Sequence, residues 1–331
     1  MLAEPVPMVR RTRNNRSHPA PDAPSGVLLI DKPPNITSHD VVDHIRKLYH
    51  TRRVGHTGTL DPMASGLMLV LLGKATKIAP YLSALSKRYL ASICFGSVSD
   101  TGDAEGHITP AGDPSGVTLD SLNAALAALV GESAQRIPAY SAVRSGGRRL
   151  YELARSGAEV PALERVVTIH SADLVSFSGD TADVRIGCSS GTYIRALAGS
   201  LGEAVGCGAY LCGLRREAVG QWLASDAFSL ETLHDFKERN HPLPVPAPIE
   251  QYLNFPRLEI APQSRELITH GSPLTAAHVV AVGSQFQSGD TVLVIDAGRQ
   301  VLAIGTALVG NDELSVMPAS DPVVRYRRVL I

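Results

Sequence analysis

Asp61 stands in the run Arg53-Val54-Gly55-His56-Thr57-Gly58-Thr59-Leu60-Asp61-Pro62-Met63-Ala64-Ser65-Gly66. It is one carboxylate among small residues. Glycines at 55, 58 and 66 remove side-chain bulk and allow turns and close approach of a ligand. Pro62 biases the Asp61 backbone toward extended geometry. With an imidazole at His56 and a cation at Arg53 just upstream, such an acid is equipped to act as a nucleophile or a general base. The same Asp-Pro pair also reads as a helix start, with Asp as the N-cap and Pro in the first turn. Only the wider surroundings separate the two readings.

Three further segments carry reactive or ligand-binding side chains. Arg136–Arg144 followed by Gly146–Tyr151 interleaves aromatic, hydroxyl and cationic groups. That mixture suits RNA, with arginine on phosphate and tyrosine on base faces, and equally suits a polar loop leading into a surface helix. Cys188–Arg195 places Tyr193 and Arg195 two residues apart; in extended geometry both side chains point to one face. An arginine beside a carboxylate keeps it ionised and aimed. Leu214 with Arg215 and Arg216 follows an apolar turn and says little by itself. Phosphate-loop, dinucleotide and HExxH patterns are missing.

The elements that must position these residues are legible from apolar patterning. Gly26–Asp31 and Leu67–Leu72 read as buried strands. Ser38 reads as the N-cap of a helix carrying Val41, Val42, Ile45 and Leu48. Lys87–Phe95 alternates as a strand, Leu119–Leu129 is helical, Val166–Phe177 and Ala182–Cys188 form a strand pair, and Ile194–Val205 is a helix. Several neighbouring strands lack an intervening helix. The fold class is therefore α+β, with a mixed, largely antiparallel sheet flanked by helices. Residues 1–25 read as a disordered basic tail and 26–240 as the catalytic domain. Residues 241–250 form a proline-rich linker, and 251–331 a small β-rich domain.

The chain has 331 residues, 44% hydrophobic and 19% charged, with a net charge of −1. These values fit an ordinary globular protein and exclude a uniformly basic nucleic-acid binder. Local basic clusters remain at Arg10–Arg16, Arg52–Arg53, Arg144–Arg149, Arg215–Arg216 and Arg325–Arg328. No apolar run is long enough to span a membrane. The first 25 residues lack a signal-peptide core, so a cytoplasmic location is expected. Cys94, Cys188, Cys207 and Cys212 show no paired spacing and are expected as buried free thiols.

Together these segments carry a family resemblance. GVLLIDKPP (26–34), GHTGTLDPMASG (55–66), GKATK (73–77), KRY (87–89), DTGDAEG (100–106), Tyr140–Ala142 with Leu150–Arg155, GTYIR (191–195) and Leu214-Arg215-Arg216 occur in one order. This order resembles the bacterial tRNA pseudouridine synthase B (TruB) family over about residues 26–220. The weaker C-terminal β pattern is similar to that family's PUA-like accessory domain. The resemblance implies a pseudouridine synthase fold. It also implies isomerisation of the T-loop uridine, position 55 of tRNA, on a flipped-out base, without metal or cofactor, by a monomer whose partner is the T-arm.

By the same resemblance Asp61 is the catalytic aspartate and Arg195 its ion-pair partner. Tyr89 stacks on the target base and has a base role, and Tyr193 flanks the aspartate. His56 helps hold the flipped loop, Leu214 lines the pocket, and Lys32 is the lysine of the N-terminal strand motif. Ile137, Arg144 and Gly199-Ser200 depart from the family's usual residues. The small domain is expected to add contacts to the tRNA end through Arg325, Arg327 and Arg328. Deleting everything after Leu243 is then expected to weaken binding of whole tRNA more than of a T-arm hairpin.

Overall fold

A computed structural model of the chain describes residues 24–141 and 143–331. The expected tail therefore lies almost wholly outside the described residues. The main sheet has ten strands. They are β1 (Gly26–Lys32), β2 (Val54–His56), β3 (Ser65–Leu72), β4 (Lys87–Phe95), β5 (Gly131–Arg136), β6 (Glu164–Ser178), β7 (Thr181–Cys188), β8 (Ala209–Val219), β9 (Trp222–Leu223) and β10 (Phe228–Ser229). The spatial order is β10-β1-β3-β8-β4-β7-β6-β5, with β2 also on β3 and β9 on β8. Only β10–β1 and β3–β8 are parallel, so the sheet is mixed and largely antiparallel, as its sequence pattern predicts.

β3 is apolar at nearly every position because both its faces are covered. Met68, Val70 and Leu72 point into one core. Helices α1 (Ser38–Leu48), α2 (Leu119–Leu129), α3 (Ile194–Ala204) and α4 (Leu230–Glu238) contribute Ile45, Leu122, Leu197 and Leu233 to that core. Leu67, Leu69 and Leu71 point the other way. They join Val27 in a second core with Tyr252, Leu293, Ile295, Val301, Ile304 and Leu330 of the C-terminal part of the chain.

That C-terminal part is a second sheet of six strands: β11 (Arg257–Ile260), β12 (Leu274–Thr275), β13 (Val279–Val282), β14 (Thr291–Ile295), β15 (Val301–Ala307) and β16 (Pro322–Val329). Its own core contains Leu258, Ile268, Val292 and Leu302. The preceding proline-rich stretch lies against β1, where Val27 and Ala247 exchange two backbone hydrogen bonds. Among the described residues, no helix is long and apolar enough to cross a membrane.

Two local expectations need correction. The α1 N-cap is Thr37, not Ser38: the Thr37 hydroxyl accepts from the Asp40 amide, and the Asp40 carboxylate accepts from the Thr37 amide. This reciprocal box outcompetes a serine cap one residue later, and Ser38 is freed for another task. The cysteines are not all free thiols. Cys94 and Cys212 form a disulfide between β4 and β8, with Cα atoms 5.9 Å apart, while Cys188 and Cys207 stay free and buried. A bulge in β8 between Leu211 and Gly213 re-aims Cys212, which residue spacing cannot reveal.

Candidate active site

Asp61 sits on the loop joining β2 to β3 and is not a helix cap; the Asp61 carbonyl accepts from the Ala64 amide in a turn. Neighbouring elements hold this loop at several points. The Ser38 hydroxyl, buried at the start of α1, donates to the Leu60 carbonyl at 3.0 Å and accepts from the Leu60 amide at 2.8 Å. Lys32, fully buried at the end of β1, spends its ammonium on the carbonyls of Pro33, Ile36 and Pro62. The Asn35 amide also donates to Pro62. Burial lowers the Lys32 pKa to about 8, a fall opposed by the charges of Glu105 and Asp61. Lys32 thus touches the backbone beside Asp61, and its donors are taken up by carbonyls.

The guanidinium of Arg195 meets Asp61 across 134 residues of chain. Its Nε lies 3.0 Å from Asp61 Oδ2 and 3.4 Å from Asp103 Oδ2. Its Nη atoms donate to the carbonyls of Thr101 and Tyr140 at 2.9 and 3.0 Å. The Arg195 side chain is 5% exposed, whereas that of Asp61 is 35% exposed. The cation is therefore fixed inside, and the carboxylate keeps an open side. Burial raises the Asp61 pKa above the usual carboxylate range; Arg195 opposes the rise and Asp103 adds to it.

The pairing arises differently from the extended-strand expectation. Tyr193 is the N-cap residue of α3, and Arg195 lies in its first turn, so the two side chains do not share a strand face. Tyr193 is placed by Gln135 of β5, whose amide donates to the Tyr193 carbonyl and accepts from the Tyr193 amide.

Tyr89 and Leu214 come from adjacent strands. Tyr89 is opposite Arg216 and Ala91 opposite Leu214 in the β4–β8 register. The four therefore share one face of the sheet. Tyr89 is 8% exposed and Leu214 half-buried beside the first core. Burial pushes the Tyr89 phenol up, and Arg216 pulls it back. His56 ends β2, and its Nδ1 accepts from the Gly58 amide at 3.3 Å. Burial lowers its pKa, so the ring is neutral near pH 7.

The structure brings Asp61 and Arg195 into contact. Lys32 and His56 reach the backbone of the Asp61 loop, and Tyr89 and Leu214 line the sheet face at its base. Asp103 and Gln135 were not anticipated as parts of this assembly. Neither announces itself by spacing, since the contacts that define them are made to Arg195 and Tyr193. A cavity of about 290 Å³ opens beside Arg195, lined by Ile137, Pro138, Tyr140 and Val160 among others; neither Asp61 nor Tyr89 lines it.

Several arginines are engaged within the protein. Arg215 pairs with Asp31 at 2.7 Å, and Arg149 and Arg155 flank the Tyr151 ring. Arg325, Arg327 and Arg328 are exposed on β16.

The chain matches the TruB family pseudouridylate synthase N-terminal domain over residues 46–194 and the PUA domain over residues 256–330. Its fold is similar to that in a structure of an H/ACA RNP bound to a substrate RNA containing 2'-deoxyuridine, with a TM-score of 0.69 at 24% identity over 92% of this chain and 85% of that one. The molecule is thus an isomerase of the pseudouridine-forming class, with a PUA domain behind its catalytic sheet. It is 43% identical over 252 residues to tRNA pseudouridine synthase B of Azoarcus sp. (strain BH72), covering 75% of this chain and 83% of the relative. It is 42% identical to the protein of that name from Chromobacterium violaceum, covering 80% and 84%. The chain belongs to the TruB family.

Proposed function

We propose that this protein converts the T-loop uridine of tRNA, position 55, to pseudouridine, with Asp61 as the nucleophile. The observation that carries this reading is the partly open Asp61 carboxylate held by a buried Arg195 at 3.0 Å. Relatives with closely similar sequences, named tRNA pseudouridine synthase B, support tRNA as the substrate. A base in a folded loop must first leave its stack. His56 and the backbone around it help hold the opened loop, and the flipped uracil stacks on Tyr89 above Leu214. Asp61 attacks ribose C1′ or uracil C6, which divides one hard substitution into two steps. The uracil detaches at N1, turns, and rejoins through C5. Burial keeps the Tyr89 phenol protonated at rest, so Tyr89 takes the C5 proton as its own phenolic proton passes on to water. Lys32 and Tyr193 fix the loop and the α3 start that carry the reacting pair. A cytoplasmic location goes with this reading.

One observation favours a rival reading. Asp103 is a second carboxylate beside Asp61, as a hydrolase that cleaves glycosidic bonds would need. Asp103 is 3% exposed, however, and already accepts from the Thr101 hydroxyl and the Glu105 amide. It has no space to activate water, and isomerisation is preferred.

Incubation with an unmodified T-arm hairpin tritiated at uracil C5, without added metal, tests the proposal. Isomerisation releases the label to water and leaves pseudouridine in the RNA. Free uracil with an abasic site would establish hydrolysis instead.

Arg195→Lys is expected to lower the single-turnover rate by about 10²- to 10³-fold, because an ammonium cannot reproduce a fork that spans two carboxylates and two carbonyls. RNA binding measured in parallel should change little. A rate near that of the unaltered protein would remove Arg195 from any role in aiming Asp61.

A further inference from the structure

Among the described residues Arg216 heads the largest fully buried side chains, at 2% exposure. A guanidinium is costly to remove from water and normally meets a carboxylate. Among the described residues none lies within ion-pair distance of Arg216, although Arg215 beside it pairs with Asp31. Its donors go to backbone carbonyls. Nε donates to Leu67 at 2.6 Å, Nη2 to Gly58 at 3.1 Å and Nη1 to Thr59 at 3.5 Å. All three carbonyls belong to the segment that carries Asp61, and they flank the 60–66 turn on both sides.

The backbone closes on the same point. Arg216 pairs with Gly66 in the parallel β3–β8 register. Gly66 has φ +107°, and a Cβ there would collide with the Arg216 backbone. Across the sheet Arg216 faces Tyr89. One residue therefore links the loop of the reacting carboxylate, through its side chain, to the strand of the stacking tyrosine, through its backbone.

We propose that Arg216 is a positioning residue, an internal clasp whose planar fork holds the carbonyls on both sides of the Asp61 turn and so fixes where the carboxylate reacts. This rests on the reading of Asp61 as the reacting group. An apolar side chain would fill the same channel with less desolvation but would leave those carbonyls unpaired. The guanidinium supplies donors in three directions from one rigid plane, which an ammonium cannot do.

Arg216→Met and Arg216→Lys test the clasp. Met fills the channel without a charge and is the variant expected to fold. Hydrogen exchange of the 57–67 amides is measured first, without RNA, so this readout is independent of the reaction assigned to the protein. Both variants should exchange at least tenfold faster there, while the strands β4, β6 and β7 keep their protection. On the T-arm hairpin, kcat should fall about 100-fold with KM within threefold. Two results would overturn the clasp: unchanged exchange in the loop with kcat within threefold of the unaltered protein, or loss of protection throughout the sheet, including failure of both variants to fold. If the unaltered protein makes no pseudouridine, the assigned reaction fails, while the exchange result still decides the clasp.

Discussion

Asp61→Asn is expected to abolish pseudouridine formation, by at least about 10⁴-fold in kcat or roughly 5.5 kcal/mol, while T-arm RNA still binds. The amide keeps the shape of the carboxylate and can still accept from Arg195, but it cannot form the covalent bond. Stability should move the other way. Burial raises the Asp61 pKa above its unfolded value, so between those two pKa values the native state holds more protons than the unfolded chain. Stability from this group is therefore lost as pH rises through that window, and removing the charge should leave the melting temperature at pH 7 unchanged or higher. The unaltered enzyme should lose kcat as pH falls through the raised Asp61 pKa, with the acid limb above the usual carboxylate range. Substantial turnover by a folded Asp61→Asn protein would end the nucleophile assignment.

A chain ending at Leu243 is expected to be insoluble or unfolded. This replaces the expectation of a selective loss of affinity for whole tRNA. Truncation strips the cover from Val27, Leu67, Leu69 and Leu71, which share a core with Leu293, Ile304 and Leu330. Uncovering a large apolar side chain costs about 1.5–3 kcal/mol, so three leucines alone approach a typical domain stability of about 5–15 kcal/mol. Soluble yield and thermal melting of the truncated chain decide the point. A melt within about 5 °C of the full chain, for which a 1 kcal/mol change shifts Tm by roughly 2–4 °C, would show that the C-terminal sheet is dispensable for the fold.

The parts legible in advance are those set by local pattern. The helix over Leu119–Leu129 and the pairing of Val166–Phe177 with Ala182–Cys188 follow from periodicity, and both are present. The Asp61–Arg195 contact was implied by the family resemblance, although the path to it was not. Arg195 arrives on a helix start rather than a strand, because Gln135 holds the Tyr193 backbone where α3 begins. Asp103 and Arg216 were opaque for a shared reason. Their significance lies in what they touch from distant positions, and a buried arginine or aspartate has no sequence signature apart from its partners. The continuous apolar run of β3 announced burial on both faces but not what covers the second one.

Asp103 also shapes the charge history of the proposed reaction. At rest one guanidinium faces two carboxylates, so an ionised triad carries one net negative charge. Bond formation by Asp61 moves its charge onto the uracil, as the anion released at N1 when the target is C1′ or as the enolate when it is C6. With Asp61 as its sole carboxyl partner, Arg195 would then have none at its Nε while the charge rests on the base. Asp103 takes no part in that bond, so Arg195 keeps a carboxyl partner at 3.4 Å while the Asp61 charge rests on the base, and the charge returns to Asp61 when the new carbon–carbon bond forms. The detached base can therefore turn beside a guanidinium that never loses its second partner.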